Sequence, residues 1–234
     1  MKILISGCSF TALTQNGKKK NLPDYLPGEV ERYSEHGAGN IYIVRSLLSR
    51  LQELKNLGNL SDVKVICQLS HIHRYDLYLR NLDEIDKYKK ANPAMSLVKS
   101  IQDDYYYTLT VKYQTTLCPD YYKYYQCETE DILRTIDLVM LLQNFCIRNN
   151  VPLKFFQYED FHFRPWPTNR TDDRNLNFYR KQIDYDKFFI DETMWDFMYN
   201  RGYLEKNWSD DGGHPNSWVH KNFYEEKLKD WVLS

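Results

Sequence analysis

The chain has 234 residues and a formal net charge of −1, from 31 basic and 32 acidic residues. This balance provides no overall field that would draw the protein to nucleic acid or to an anionic membrane. Hydrophobic residues make up 42% of the sequence and include twenty tyrosines, which is enough apolar material for a folded core and excludes a disordered chain. No stretch approaches the roughly 18 consecutive apolar residues of a membrane-spanning helix.

The N-terminal sequence and the cysteines bear on location and cofactors. The sequence MKILISG lacks the apolar region and cleavage pattern of a signal peptide, so we expect a first strand there instead. The five cysteines are odd in number and widely spaced without a CxxC pair, which argues against a disulfide framework and a zinc knuckle. We therefore expect reduced thiols, no cofactor and no metal, in a protein that is cytoplasmic or of a location that the sequence does not define.

The first part of the chain follows the strand–helix–strand pattern of an α/β fold. Lys2–Ser6 is a short apolar run that ends at Gly7 and predicts a strand leading into a turn. Apolar residues at three- and four-residue spacing from Ile41 to Leu54 predict an amphipathic helix, with Asn40 as its N-cap. The nearly continuous apolar run at 63–69 predicts a strand that is buried on both faces of a parallel sheet.

Residues 71–129 interrupt this alternation of strands and helices and contain many tyrosines among charged residues. We interpret this Tyr-rich segment as an insertion in a single domain that spans residues 1–234. It could form a lid or a substrate platform, since tyrosine offers a stiff amphipathic surface for sugars or for a partner protein. The alternative is a helical excursion that packs on its own aromatic residues.

The α/β alternation resumes after the Tyr-rich segment. Apolar spacing predicts a long helix over residues 130–150, and the run Val151–Tyr158 predicts another buried strand. Residues 161–185 are rich in Arg, Asn, Asp and Pro and have the composition of a long loop. The last predicted elements are a short strand at Phe188–Ile190, a short helix at Glu192–Tyr199 and a closing amphipathic helix at Ser217–Val232.

Two short motifs at opposite ends of the chain carry candidate catalytic residues. GCSF places Ser9 just past a strand, where a tight turn exposes the hydroxyl near a helix N-terminus. DGGHPN places Asp211 three residues before His214, so the carboxylate can bond one ring nitrogen while the other faces a serine. Alone, each motif is more often a simple turn, but the pair favours a Ser-His-Asp triad. Asp210 is the alternative acid and lacks the three-residue offset.

A third motif, GAGN, precedes the first predicted helix, and a glycine there permits close backbone approach to a reacting group. The three motifs, in this order, resemble the sequence blocks of the SGNH (GDSL-type) hydrolases, with Cys8 where many members have Asp. The resemblance implies a flavodoxin-like three-layer α/β/α sandwich with a mainly parallel sheet. It also implies that Ser9 is the nucleophile and that the amides of Ser9 and Gly37 form an oxyanion hole.

The chain departs from this family after the second predicted strand. Members usually show Gly-x-Asn-Asp there, whereas this chain has LSHIHR, without the Asn that completes the oxyanion hole. Asn40 and His73 are candidate replacements. Otherwise the hole has two backbone donors only, which would lose about 2.7–4 kcal/mol of transition-state stabilisation.

His71, His73 and Arg74 lie in this divergent block. The two histidines share one face if the strand continues, so a metal site with His214 and an Asp is one interpretation. Two histidines at a strand end are more often polar lining of a cleft, and a carboxylate-rich ligand pattern is missing. We therefore predict a substrate cleft at these three residues and no metal.

These features predict a serine esterase that hydrolyses a short-chain acyl ester, such as an O-acetyl group on a carbohydrate. The expected partner is a small-molecule or glycan ester, without nucleic acid or membrane, and the oligomeric state is left open. Two alternatives remain. The irregular third block fits a catalytically weak binding or structural module whose interface is the Tyr-rich segment, and the same triad could serve an acyltransferase.

Overall fold

The computed structural model of the protein describes residues 1–12, 20–79, 97–99, 105–109, 127–158, 173–203 and 214–234. These residues contain two sheets. The strands in chain order are β1 Lys2–Ser6, β2 Glu29–Arg32, β3 Val63–Leu69, β4 Tyr75–Leu79, β5 Leu97–Lys99, β6 Tyr105–Leu109 and β7 Leu153–Gln157. The larger sheet has the order β2-β1-β3-β7, and every pairing in it is parallel.

Helices precede or follow the strands of the larger sheet. They are α1 Asn40–Asn56, α2 Glu128–Arg148, α3 Asp173–Arg180, α4 Tyr185–Phe188, α5 Met194–Asn200, α6 Ser217–Phe223 and α7 Lys229–Leu233. A 3₁₀ turn lies at Leu22–Tyr25, and a π-helical turn at Tyr224–Leu228 joins α6 to α7. Within the described ranges, no helix has both the length and the hydropathy to cross a membrane.

Strands β1, β3 and β7 of the parallel sheet are buried on both faces because they carry apolar residues at most positions. Successive side chains point to opposite faces. Leu4 and Phe155 pack with residues of α1 and α2 on one face, and Ile3 and Phe156 pack with residues of α5 and α6 on the other. The predicted three-layer α/β/α arrangement with a mainly parallel sheet is therefore confirmed.

The strand order matches the first four positions of the 2-1-3-4-5 order of flavodoxin-like folds. The predicted strand at Phe188–Ile190 is reduced to one parallel bridge between Phe155 and Phe189, at the fifth position. Residues 161–185 were predicted to be a loop. The described part, from residue 173, instead contains α3, so this prediction is wrong there.

Strand β2 was not predicted, because its sequence EVER is short and charged. It lies at the edge of the sheet beside β1, where polar side chains reach water. Lys2 of β1 forms ion pairs with Glu29 and Glu31 of β2, at 3.0 and 2.5 Å. Cross-strand charge pairs of this kind stabilise a strand that has Val30 as its one apolar residue.

Within the Tyr-rich segment, residues 75–79, 97–99 and 105–109 form an antiparallel sheet of three strands, in the order β4-β6-β5. These parts are strands, and the helical alternative does not describe them. Strand β4 also contacts α1, which places the smaller sheet against the larger α/β unit. That the segment is an insertion or a lid remains a prediction.

A buried histidine makes the stability of this fold sensitive to acid. His220 of α6 is 1% exposed, and its Nδ1 has no hydrogen-bond partner among the described residues. Burial, and secondarily the charge of His214, lowers the pKa of His220 to about 3. The folded state therefore holds this side chain neutral, whereas an unfolded chain protonates it near pH 6.5.

We expect the unfolding free energy to fall as the pH drops below 6.5, because the unfolded state then binds a proton that folded His220 does not. The loss is about 1.4 kcal/mol per pH unit, or about 2 kcal/mol between pH 6.5 and pH 5. His220→Leu should remove this part of the acid dependence. Urea unfolding at pH 7.5 and pH 5 measures it, and an identical loss in wild type and variant would contradict the assignment.

Candidate active site

Ser9 lies just beyond the carboxyl end of β1. The amides of Thr11 and Ala12 both donate to the Cys8 carbonyl at 3.0 Å, so one helical turn begins at Cys8. Ser9 is partly exposed in the first part of this turn, whereas Cys8 and Thr11 are buried. The sequence therefore presents the hydroxyl at the sheet edge where parallel folds place ligands, as predicted.

The side chain of Gln68 holds this turn in place through hydrogen bonds. Gln68 is in β3 and fully buried, and its Oε1 accepts hydrogen bonds from the Cys8 amide at 3.2 Å and the Thr11 hydroxyl at 2.9 Å. Its Nε2 donates to Cys8 Sγ at 3.0 Å. A Cβ on Gly7 would lie 2.5 Å from Gln68 Oε1 and closer still to Thr11 Oγ1. Only glycine fits at this point of close approach.

His214 meets Ser9 although 205 residues separate them in the chain. The distance from His214 Nε2 to Ser9 Oγ is 2.8 Å. Asn216 caps α6 directly after His214, with its Oδ1 accepting from the Trp218 and Val219 amides. In this geometry a neutral His214 can accept the hydroxyl proton of Ser9. Of the predicted catalytic residues, the structure brings these two together.

Asp211 and the alternative Asp210 lie in residues 204–213, outside the described part of the chain. Both residues are close to His214 in the sequence, and Asp211 precedes it by three residues. The acid of the triad therefore remains a prediction.

The loop around Gly37 lies beside the nucleophile turn. The Tyr33 amide donates to the Ile5 carbonyl at 2.8 Å, and the Glu35 amide donates to the Gly7 carbonyl at 3.1 Å. The pairing of β2 with β1 thus continues to the base of the turn. Gly37 then has φ of 78°, a left-handed conformation that favours glycine. Glu35 and Gly7 are joined by this hydrogen bond, and Gly37 and Ser9 each lie two residues further along the chain.

Asn40 has a different position from the predicted one. Gly39 is the N-cap of α1, and Asn40 is the first helical residue. Its Oδ1 accepts from the Ser70 amide at 2.7 Å, and its Nδ2 donates to the Ser70 carbonyl at 3.2 Å and to Thr135 Oγ1 at 3.4 Å. The prediction of an N-cap is wrong. In this geometry the side-chain amide of Asn40 is directed at protein acceptors, and its part in the oxyanion hole stays a prediction.

The two histidines of the divergent block lie beyond the end of β3. His73 Nδ1 is 2.9 Å from Asp131 Oδ2, and Arg134 holds the other oxygen of the same carboxylate at 2.6 Å. His71 is half-buried, and burial, with the charges of His73 and Arg74, lowers its pKa to about 4. Among the described residues, no group of three or more His, Cys, Asp or Glu side chains could hold a metal ion.

Arg74 is directed at backbone and hydroxyl groups of the protein. Its Nη1 donates to the Ala38 carbonyl at 3.2 Å and to Ser70 Oγ at 2.9 Å. His71, His73 and Arg74 follow β3 at the carboxyl end of the sheet, where Ser9 also lies, and a substrate cleft at these residues remains a prediction.

Sequence reasoning missed the polar residues that support the site. Gln68 and Asp76 are buried, and each accepts hydrogen bonds from groups on other elements of the fold. A signal for Gln68 was present, since an amide in the apolar run VKVICQL must find partners once it is buried. Asp76 follows no such run and carried no comparable signal.

Comparison with known proteins gives several similar structures, two of which are described here. No protein-family model and no curated protein matches the sequence. A psychrotrophic esterase, EstA, from a Pseudoalteromonas species is 14% identical, with a TM-score of 0.47 over 100% of this chain and 99% of its own. A candidate SGNH hydrolase from Slackia heliotrinireducens is 14% identical, with a TM-score of 0.39 over 97% and 98% of the two chains.

Replacement of Gln68 by leucine should destabilise the protein. Gln68→Leu leaves the buried Cys8 amide without its acceptor, which should lower the unfolding free energy by about 1–3 kcal/mol. Gln52→Leu is the matched control, because Gln52 is exposed on α1 and its loss should change stability by less than about 0.5 kcal/mol. Urea unfolding at pH 7.5 compares the two, and equal losses would show that Gln68 does not support the turn.

Proposed function

We propose that the protein is a serine hydrolase of carboxylic esters. The observation that carries this proposal is the 2.8 Å contact between Ser9 Oγ and His214 Nε2 at the carboxyl edge of a parallel sheet. A serine within hydrogen-bond reach of a histidine is the arrangement of an activated nucleophile. Asp211 is the proposed acid that orients His214 through its other ring nitrogen.

In the proposed reaction, Ser9 Oγ attacks the carbonyl carbon of the ester while His214 Nε2 takes the hydroxyl proton. The tetrahedral intermediate collapses to an acyl-enzyme, and His214 returns the proton to the departing alcohol. Water then attacks the acyl-enzyme while His214 accepts a proton from it. The second tetrahedral intermediate collapses, the carboxylic acid leaves, and His214 returns the proton to Ser9 Oγ. No cofactor is needed for this sequence of steps.

The amides of Ser9 and Gly37 are the proposed oxyanion donors. Two features support Gly37. Its loop is hydrogen-bonded to Gly7 through Glu35, and a glycine in this left-handed conformation has no side chain that would block the approach of the ester. The Ser9 amide belongs to the helical turn that begins at Cys8. With Asn40 bonded elsewhere, the proposed hole consists of backbone groups.

A short acyl group on a polar alcohol, such as an O-acetylated glycan, is the proposed substrate class. A row of aromatic rings begins at His214. The centroid of the Phe10 ring lies 5.0 Å from that of His214, and Phe10 stacks on Tyr158 with a centroid distance of 4.0 Å. Trp195 meets Tyr158 edge-on at 6.0 Å, and both side chains are partly exposed. Such rings offer flat surfaces for the apolar faces of sugars.

Hydrolysis of p-nitrophenyl acetate tests the proposed nucleophile and base. Ser9→Ala and His214→Ala should each reduce kcat by about 10³-fold or more, because the two groups act as a unit. Ser61→Ala is the matched control at an exposed serine and should retain the wild-type rate. A wild type without activity, or a rate indifferent to Ser9, would instead favour a binding module.

The third member of the triad is tested by two neighbouring carboxylates. Asp211→Asn should lower kcat by about 10⁴-fold, since an amide in this position favours the wrong tautomer of the histidine. Asp210→Asn makes the same chemical change one residue earlier and should have little effect on kcat. The reverse order of the two rates would assign the acid to Asp210.

A further inference from the structure

Residues that follow β3 form a clamp on the loop that precedes α1. We define the clamp as Arg74 and Asp76. Arg74 Nη1 donates to the Ala38 carbonyl at 3.2 Å. Asp76 Oδ1 accepts from the Gly39 amide at 2.9 Å, and Asp76 Oδ2 accepts from the Tyr42 amide at 2.8 Å. The clamp thus holds the carbonyl and amide groups on both sides of the helix start.

The contacts of Asp76 are charge-assisted and shielded from water. Asp76 is 4% exposed, and its carboxylate lies at the N-terminus of the 17-residue helix α1. The positive end of the helix dipole and the free N–H groups of the first turn both favour an anion there. The fit is close, because a Cβ on Gly39 would lie 2.6 Å from Asp76 Oδ1.

Of the clamp residues, Asp76 lies in the smaller sheet, whereas the loop that the clamp holds connects β2 of the larger sheet to α1. Asp76 is in β4 and pairs in register with Thr108 of β6. Its carboxylate is therefore carried by the Tyr-rich segment, while Gly37 and Gly39 lie between β2 and α1. The position of the segment thus fixes the loop that carries the proposed oxyanion donor.

We propose that Arg74 and Asp76 are positioning residues that hold the Gly37 amide in its place for the reaction. This inference rests on the proposed function. The clamp hydrogen bonds of both residues, given above, are to the loop and to the start of α1. Both act through the backbone of residues 38–42, which leads directly from Gly37 into the rigid helix α1. In this chain, residues that follow β3 thus supply support for the oxyanion loop.

Asp76→Asn is the first variant, because it replaces one of the two accepting oxygens by an NH2 donor, so that the Gly39 amide or the Tyr42 amide loses its acceptor. Arg74→Met is the second and milder variant, and it keeps the length of the side chain. Displacement of a catalytic group by about 1 Å can reduce rates about 10²-fold, so we expect kcat to fall about 10- to 100-fold in both variants. KM for p-nitrophenyl acetate should change little.

Asp184→Asn is the matched control. Asp184 caps the short helix α4, accepts from the Lys187 amide at 3.0 Å, and lies near the start of β7, at the opposite end of the sheet. The Asp184→Asn variant makes the same chemical change at a helix N-terminus and should retain the wild-type kcat. Titration of each variant with a fluorophosphonate gives the fraction of reactive Ser9, so that kcat is expressed per active site and partial unfolding does not contribute.

The outcomes separate the clamp from the proposed function. A lowered kcat per active site in both clamp variants, with the control unchanged, supports the inference. An active wild type whose clamp variants keep kcat, or whose control loses as much, overturns the inference alone. A wild type that neither hydrolyses the ester nor reacts with the fluorophosphonate overturns the proposed function and the inference with it.

Discussion

Gln68 accepts two hydrogen bonds beneath the turn that carries Ser9, and the geometry of the candidate site depends on this buried contact. A buried amide in an apolar strand destabilises a fold unless its partners are in place, so the turn is stable only in the conformation that supplies them. The same contact explains Gly7, because any side chain there would collide with Gln68. One interaction thus fixes where the strand ends and where the hydroxyl lies.

The polar contacts that assemble the site are concentrated at the carboxyl edge of the sheet. Asn40 joins α1 to the end of β3 at Ser70, and Asp76 joins α1 to β4. Both sides of the sheet below this edge are packed with apolar residues. Since each polar group is satisfied by a group from a different element, the loops hold each other in one arrangement. This arrangement brings the serine at one end of the chain to the histidine near the other.

Hydrophobic periodicity was sufficient to predict β1, β3, β7, α1 and α2, because these elements are buried and their apolar residues follow the strand or helix repeat. Strand β2 was missed because an edge strand needs no apolar face. Asn40 was expected to be a helix cap because its residue type favours caps. Its actual partners, Ser70 and Thr135, are distant in sequence, and no local pattern predicts such contacts. The role of Asp76 was hidden for the same reason.

Reaction of the wild-type protein with a fluorophosphonate, followed by peptide mass mapping, tests the central claim most directly. An activated serine forms a covalent phosphonate ester, whereas unactivated serines do not react at a comparable rate. The account predicts one adduct per chain, on the peptide that contains Ser9, and its loss in His214→Ala. No adduct, or an adduct on another residue, would contradict the assignment of Ser9 and His214 as nucleophile and base.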